Sequence, residues 1–223
     1  MKQTKVKASK LVLDYTLYPR EQIQSYHVGQ IAEALEAGTV LPPIVVDRKS
    51  QRITDGFHRV KAYRKVFGKD AQIPAVFKDY ESEAEMFADA IVLNAAHGKN
   101  LTPYDRARCI ARAEELNMAP DEVARALNMT VESLGELKAE RLAYFHAKPI
   151  VLKRTTAHLA GEELTDDQME YNRRSGGMNQ DFYINQLIGM LEADAVDWES
   201  EKVVGALKRL KELLDKSLMP VGV

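Results

Sequence analysis

Runs of β-branched residues bounded by turn residues stop before residue 78 of this 223-residue chain, and that asymmetry limits its architecture more than any other feature. In Leu41-Pro42-Pro43-Ile44-Val45-Val46 the two prolines stop any helix, and the run behind them reads as a buried strand. Arg52-Ile53-Thr54, after the polar turn Arg48 to Gln51, and Ile73-Pro74-Ala75-Val76-Phe77 read as two more. Around them the apolar spacing is helical: over 27–37, closed by Gly38; over 58–67, where Val60, Ala62, Tyr63, Val66 and Phe67 recur with helical period and Gly68 ends the run; and over 81–95. Strands alternating with helices predict a mixed module up to about residue 98. Beyond Gly98 every segment has helical period, over 103–117 with Pro103 in the first turn, 120–127, 131–144, 181–192 and 200–216, so the second half is expected to be all-α. Met1 to Lys7 reads as a charged tail ahead of the short apolar run Leu11-Val12-Leu13.

Charge and cysteine use narrow the function classes. Lys and Arg number 31 against 33 Asp and Glu, a formal charge of −2, so no global positive field draws in a polyanion and any nucleic-acid contact must be local. The single Cys109 cannot close an intramolecular disulfide and sits in a helical pattern, which fits a small buried side chain and a reducing compartment. The basic N-terminal residues have no apolar core behind them, and no run approaches about 18 apolar residues, so a cytoplasmic protein with no membrane partner is expected. No His/Cys/Asp/Glu group has metal-ligand spacing.

In Thr54-Asp55-Gly56-Phe57-His58-Arg59 a strand runs into a glycine and a helix leaves it. Glycine lets a ligand approach the backbone, and the helix offers free N–H groups and the positive end of its dipole, a ready anion site. His58 and Arg59 add two donors within the first turn. The bland alternatives are that Asp55 caps the helix and that His58 only bonds backbone in the turn.

That turn, the Pro-Ile-Val-Val segment before it and Asn94-Ala95-Ala96-His97-Gly98 leading to Leu101-Thr102-Pro103 resemble, in order and spacing, the ParB-like (ParB/sulfiredoxin) family over about the first 100 residues. The resemblance implies an α+β N-terminal domain of that type at 10–100, a helix-turn-helix region at 101–147 and a helical C-terminal region at 148–223. It implies CTP or another nucleoside triphosphate with magnesium. Leu41 to Val46, with Ile44 and Val45, would hold base and sugar; Asp55, Gly56, Phe57, His58 and Arg59 the phosphates; Asn94 and His97 the phosphates and metal. The chain departs from the family's hydrolytic pattern, which has Glu before that Asn and Arg three residues after it, where Leu93 and His97 stand here. A hard cation prefers carboxylate oxygens, so no catalytic residue is assigned and a weak triphosphatase stays open. Phe57 replaces the cysteine of the sulfiredoxin branch, which removes that chemistry's nucleophile.

Asp121 to Leu134 has the small residue, short turn and apolar packing positions of a helix-turn-helix. Its second helix carries Glu132, Glu136 and Glu140 four residues apart, an acidic stripe that repels phosphate, and offers Thr130, Ser133 and Lys138; Arg106 and Arg108 precede it. Farther on, Ile184, Leu187, Ile188 and Leu191, then Val203, Leu207, Leu210 and Leu214, make apolar stripes that suit either packing within the chain or a homodimer. Trp198 is expected to be buried, and Tyr171 to Gly177 to form an exposed loop. The leading expectation is a nucleotide-binding, DNA-binding protein of transcription control or of plasmid or phage partition. The rivals are a phosphotransferase or nuclease on the same scaffold and a non-hydrolysing module that binds a protein partner.

Overall fold

The β-branched runs become three of the four strands of one sheet in the computed structural model, which describes residues 3–96, 100–176, 178 and 180–218. The strands β1 (Gln3–Lys7), β2 (Ile44–Asp47), β3 (Ile53–Asp55) and β4 (Gln72–Lys78) lie in the order β1-β4-β2-β3. β2 runs parallel to β4, with Ile44 opposite Ala75 and Val46 opposite Phe77. β3 returns antiparallel to β2 through a register shift between Val45 and Val46. β1 corrects the charged-tail reading: it pairs antiparallel with β4 from Gln3–Val76 to Lys7–Gln72, and only Val6 turns inward.

Two helices cover this sheet's core. α1 (Ser25–Glu36) ends at Gly38, whose positive φ of 83° lets its N–H reach Leu35 O and the N–H of Thr39 reach Ala34 O. α2 (Phe57–Phe67) seats Phe57 and Val60 among Ile44, Val46, Ile53, Ile73 and Ala75, while Ala62 meets Ala32 and Leu35 of α1. Each large apolar side chain so enclosed contributes on the order of 1.5–3 kcal/mol.

The remainder is helical apart from one hairpin. α3 (Glu83–Ala96), α4 (Pro103–Glu115), α5 (Pro120–Ala126) and α6 (Val131–Arg141) share a core of Phe87, Ile91, Ile110, Leu127 and Leu134 that runs across residue 100. Thr102 and Asp105 cap α4 reciprocally, side chain to backbone N–H each way, with Pro103 at its first turn. A short turn, 127–130, joins α5 to α6. The helix expected over 131–144 stops at Arg141, because β5 (Leu142–Phe145) and β6 (Lys148–Val151) pair as a hairpin. The second half is therefore not wholly helical.

A further correction follows the hairpin: α7 (Asp166–Arg174) occupies part of the expected loop at 171–177. It is fixed by the buried Asn172, whose Oδ1 accepts from the Lys153 N–H at 2.8 Å and the Thr156 hydroxyl at 2.6 Å, and whose Nδ2 donates to Val151 O at 3.0 Å. Asn172→Leu strands two buried donors and an acceptor, and urea unfolding should show a loss of about 2 kcal/mol. An unchanged midpoint would mean that water satisfies these groups.

The chain parts into two compact units after Gly176. The second holds α8 (Gln180–Glu192) and α9 (Glu201–Leu218). Trp198 is 56% exposed, contrary to its expected burial, with its indole N–H donating to Asp194 Oδ1 at 3.4 Å; Val196 is buried instead. On α8, Ile184, Ile188 and Leu191 are exposed, as is Leu214 on α9. Cys109 is buried in the first unit, and that burial pushes its thiol up to about 12, so it stays an unreactive thiol. Among the described residues, no helix is long and apolar enough to cross a membrane.

Candidate functional site

The junction of β3 with α2 gathers most of the residues singled out for a nucleotide. Gly56 is the N-cap of α2 at φ 106°, ψ 22°, and no side chain caps the helix there, so Asp55 does not serve as the cap. The glycine is demanded by packing: a Cβ at this position would lie 2.4 Å from Ile44 Cγ2, 2.9 Å from Ile44 Cβ and 3.3 Å from Arg59 Nε. Gly56 is consequently buried under β2 and the Arg59 side chain.

Arg59 already has protein partners. One of its terminal nitrogens donates to Pro42 O at 2.8 Å and Pro43 O at 2.7 Å, and the other is paired with the Asp55 carboxylate. The guanidinium therefore ties the chain entering β2 to the chain leaving β3, with N–H groups beyond these three bonds still to offer. Phe57 points into the core, its ring 4.7 Å from that of Tyr18.

His58 is an acceptor here, since Nε2 takes the Gln24 N–H at 3.3 Å and the ring packs edge-on to His27. Burial, then the neighbouring His27, Arg20, Lys61 and Arg59, push its pKa down to about 4. The neutral imidazole is thus the folded form, and the unfolded chain binds a proton that the folded chain refuses between about pH 6.5 and 4. Stability from this source is present above pH 6.5 and lost as pH falls through that window. Because the ring is only about half buried, screening reduces the effect to about 1 kcal/mol. His58→Gln should flatten the difference in urea midpoint between pH 7 and pH 5; an equal difference in both proteins would assign the acid sensitivity elsewhere.

Asn94 stands on α3 with its Nδ2 donating to Ala90 O at 2.8 Å and, weakly, to Thr54 O at 3.5 Å, while its own carbonyl accepts from Arg20 at 3.3 Å. It thus joins the cluster of Ile44, Asp55, Gly56 and Arg59, with Val45 beside them in β2. His97 lies outside the described residues. Among the described residues no three His, Cys, Asp or Glu side chains gather to hold a metal ion. Asp55, the carboxylate of the turn, is held by Arg59, so these donors do not make a protein-held magnesium site.

The residues considered for DNA are differently occupied. Thr130 caps α6, accepting the Ser133 N–H at 3.1 Å, and its hydroxyl and that of Ser133 are 3.0 Å apart. Lys138 is paired with Glu114, and Arg108 donates to Arg20 O. Arg106 is half-buried on α4. On α6 the side chains of Glu132, Glu136 and Glu140 are exposed.

The sequence reading missed the segment 14–24, which joins these parts. Arg20 bridges Asn94 and Arg108, the Glu21 N–H donates to Asp105 at 2.8 Å, and the Glu21 carboxylate pairs with Lys153. No local motif signals such a role, because its partners lie 74 to 132 residues away.

No family model matches the chain. Over 143 residues it is 32% identical to the transcriptional regulator NovG of Streptomyces niveus, a match that takes in 61% of this chain and 43% of that regulator's length. Structural neighbours include C-terminally truncated chromosome-partitioning protein ParB from Caulobacter crescentus in two complexes. With CTP-γ-S it is 14% identical at a TM-score of 0.38, covering 61% of this chain and 77% of that one. With the centromeric parS site it is again 14% identical, at 0.43, covering 60% and 69%. A Pnob8-like ParB-N domain is 17% identical at 0.39, covering 67% and 56%. The ParB-like resemblance expected from the motifs is thus found among its neighbours.

Proposed function

We propose that this chain is a nucleotide-responsive transcription regulator, with nucleotide phosphates held at the start of α2 and DNA met by the helical part of the first unit. The observation that carries the nucleotide half is the uncapped α2 N-terminus with Arg59 folded over it, beside Asn94. Helix dipole, amide donors and guanidinium together suit a polyanion. Ile44 and Val45 stand at the sheet edge of the same cluster, where a base and sugar would rest. CTP is the first nucleotide to test, since a ParB neighbour was crystallised with its γ-thio analogue. Because Arg59 is bonded to Asp55 and two carbonyls, binding requires it to share or release one of them.

The regulator half is supported by the 32% identity to NovG, which favours transcription control over partition. Of the helical surface, Arg106 and Arg108 suit backbone phosphates better than the acidic face of α6 does. The exposed Glu132, Glu136 and Glu140 favour a second reading for α6 itself, contact with a basic protein partner. The apolar faces of α8 and α9 are the proposed homodimer surface.

Thermal unfolding with each of the four ribonucleoside triphosphates, with and without magnesium, tests the first half, because a ligand that binds only the folded state raises its apparent stability. CTP is expected to raise Tm; four flat titrations would sink the nucleotide reading. Gel shift on random DNA over a salt series tests the second half, and no retention at low salt would leave the partner-protein reading.

A further inference from the structure

A second cleft, independent of the nucleotide reading, opens between residues 15–19, Phe87 of α3, the 108–115 stretch of α4 and Val151 of β6. Its volume is about 210 Å³, and neither Gly56, Arg59 nor Asn94 lines it. Pockets for drug-sized ligands run to roughly 300–1,000 Å³, so this one suits a smaller molecule.

Its lining combines aromatic walls with hydrogen-bond donors that the protein leaves unused. Tyr15, Tyr18 and Phe87 supply the walls. Tyr18 is only 4% exposed, and its hydroxyl has no hydrogen-bond partner. Burial pushes that phenol up to about 12, so it stays protonated and able to donate. Arg112 holds Glu83 and Glu115, both at 2.7 Å, through its terminal nitrogens, while its Nε is buried without a partner. Arg108 donates to Arg20 O and makes no ion pair among the described residues.

Each orphaned donor costs free energy while it is unmatched, which is why such groups in folded proteins usually answer to a ligand or to water. With Arg112 balanced by two carboxylates, the positive charge left over is that of Arg108. The missing complement is therefore an acceptor-rich group of single negative charge on a flat apolar body. We propose that this cleft binds a compact aromatic monocarboxylate, of about the size of benzoate, with its carboxylate toward Tyr18, Arg108 and Arg112 and its ring between Tyr15 and Phe87.

The site also has a route to the rest of the first unit. The Tyr18 ring packs 4.7 Å from that of Phe57, the first residue of α2. A ligand that fixes the Tyr18 hydroxyl bears on the ring against which α2 begins.

Sodium benzoate titrated into the full chain by calorimetry, with thermal unfolding alongside, is the test; benzamide keeps the body without the charge, and acetate the charge without the body. Saturable benzoate binding with a raised Tm is expected, with both controls at least about tenfold weaker. Tyr18→Phe should weaken benzoate at least about tenfold without lowering the ligand-free Tm, since the hydroxyl it removes makes no bond in the free protein. Arg108→Gln should weaken it as well, and supplies the same comparison should Tyr18→Phe fold poorly. Three results would each overturn the proposal: no saturation by about 10 mM benzoate, acetate binding as well as benzoate, or benzoate binding unchanged in both variants. The first would leave a solvent-filled cleft, the second an unspecific anion site.

Discussion

Gly56→Ala is expected to destabilise the first unit by about 2–5 kcal/mol, the largest effect of any single methyl group added to this chain. Two independent penalties act at the one atom. The backbone at φ 106° lies where a Cβ is strained against its own carbonyl, and that Cβ would stand 2.4 Å from Ile44 Cγ2, well inside van der Waals contact. Ile44 cannot yield, because it is fully buried and its strand is hydrogen-bonded to both β3 and β4. The two penalties separate in a double-mutant cycle. Ile44→Ala removes the methyl that clashes, so the pair should cost less than the sum of the single changes, while the dihedral strain persists. Strict additivity in urea unfolding would show that strain alone forbids a side chain here. Contrast Gly38 and Gly68, where a Cβ meets nothing within 4 Å: there only the positive φ speaks for glycine, and alanine should cost less.

This position also shows how far the sequence could be read. The glycine between a β-branched run and a helix was visible, and the strand-turn-helix around it is as expected. Its reason for being glycine was not visible, since that depends on Ile44, twelve residues earlier, lying across it. β1 escaped because an edge strand needs little apolar surface: Gln3-Thr4-Lys5-Val6-Lys7 buries one side chain, and its pairing with β4 is set some 70 residues away. The β5–β6 hairpin escaped for a different reason. Its two-residue turn places His146 at φ 49° and Ala147 at φ 60°, both left-handed, where Asn-Gly would have announced it. α7 did carry a legible mark, the Thr165-Asp166-Asp167-Gln168 capping box, which the structure forms in full. Its polar composition hid it, because a buried asparagine rather than an apolar stripe holds it down.

Arg59→Ala is expected to cost about 3 kcal/mol, because it leaves the half-buried Asp55 carboxylate and the carbonyls of Pro42 and Pro43 without their donor. Lysine keeps the charge but not the planar fork that serves three acceptors at once, so Arg59→Lys should recover only part of that loss. Stability alone cannot tell a structural arginine from one that also grips phosphate. Asp55→Asn does, through the sign of two effects. If phosphate competes with Asp55 for this guanidinium, neutralising Asp55 lowers the stability of the free protein yet tightens nucleotide binding, because the ligand no longer has to displace a charged rival or lie beside one. Nucleotide titrations on Asp55→Asn and Arg59→Ala, each referred to its own unliganded Tm, give the comparison. Tighter binding in the first and none in the second assigns Arg59 both jobs; binding equal to that of the unaltered protein in both variants confines the arginine to holding β2 against β3.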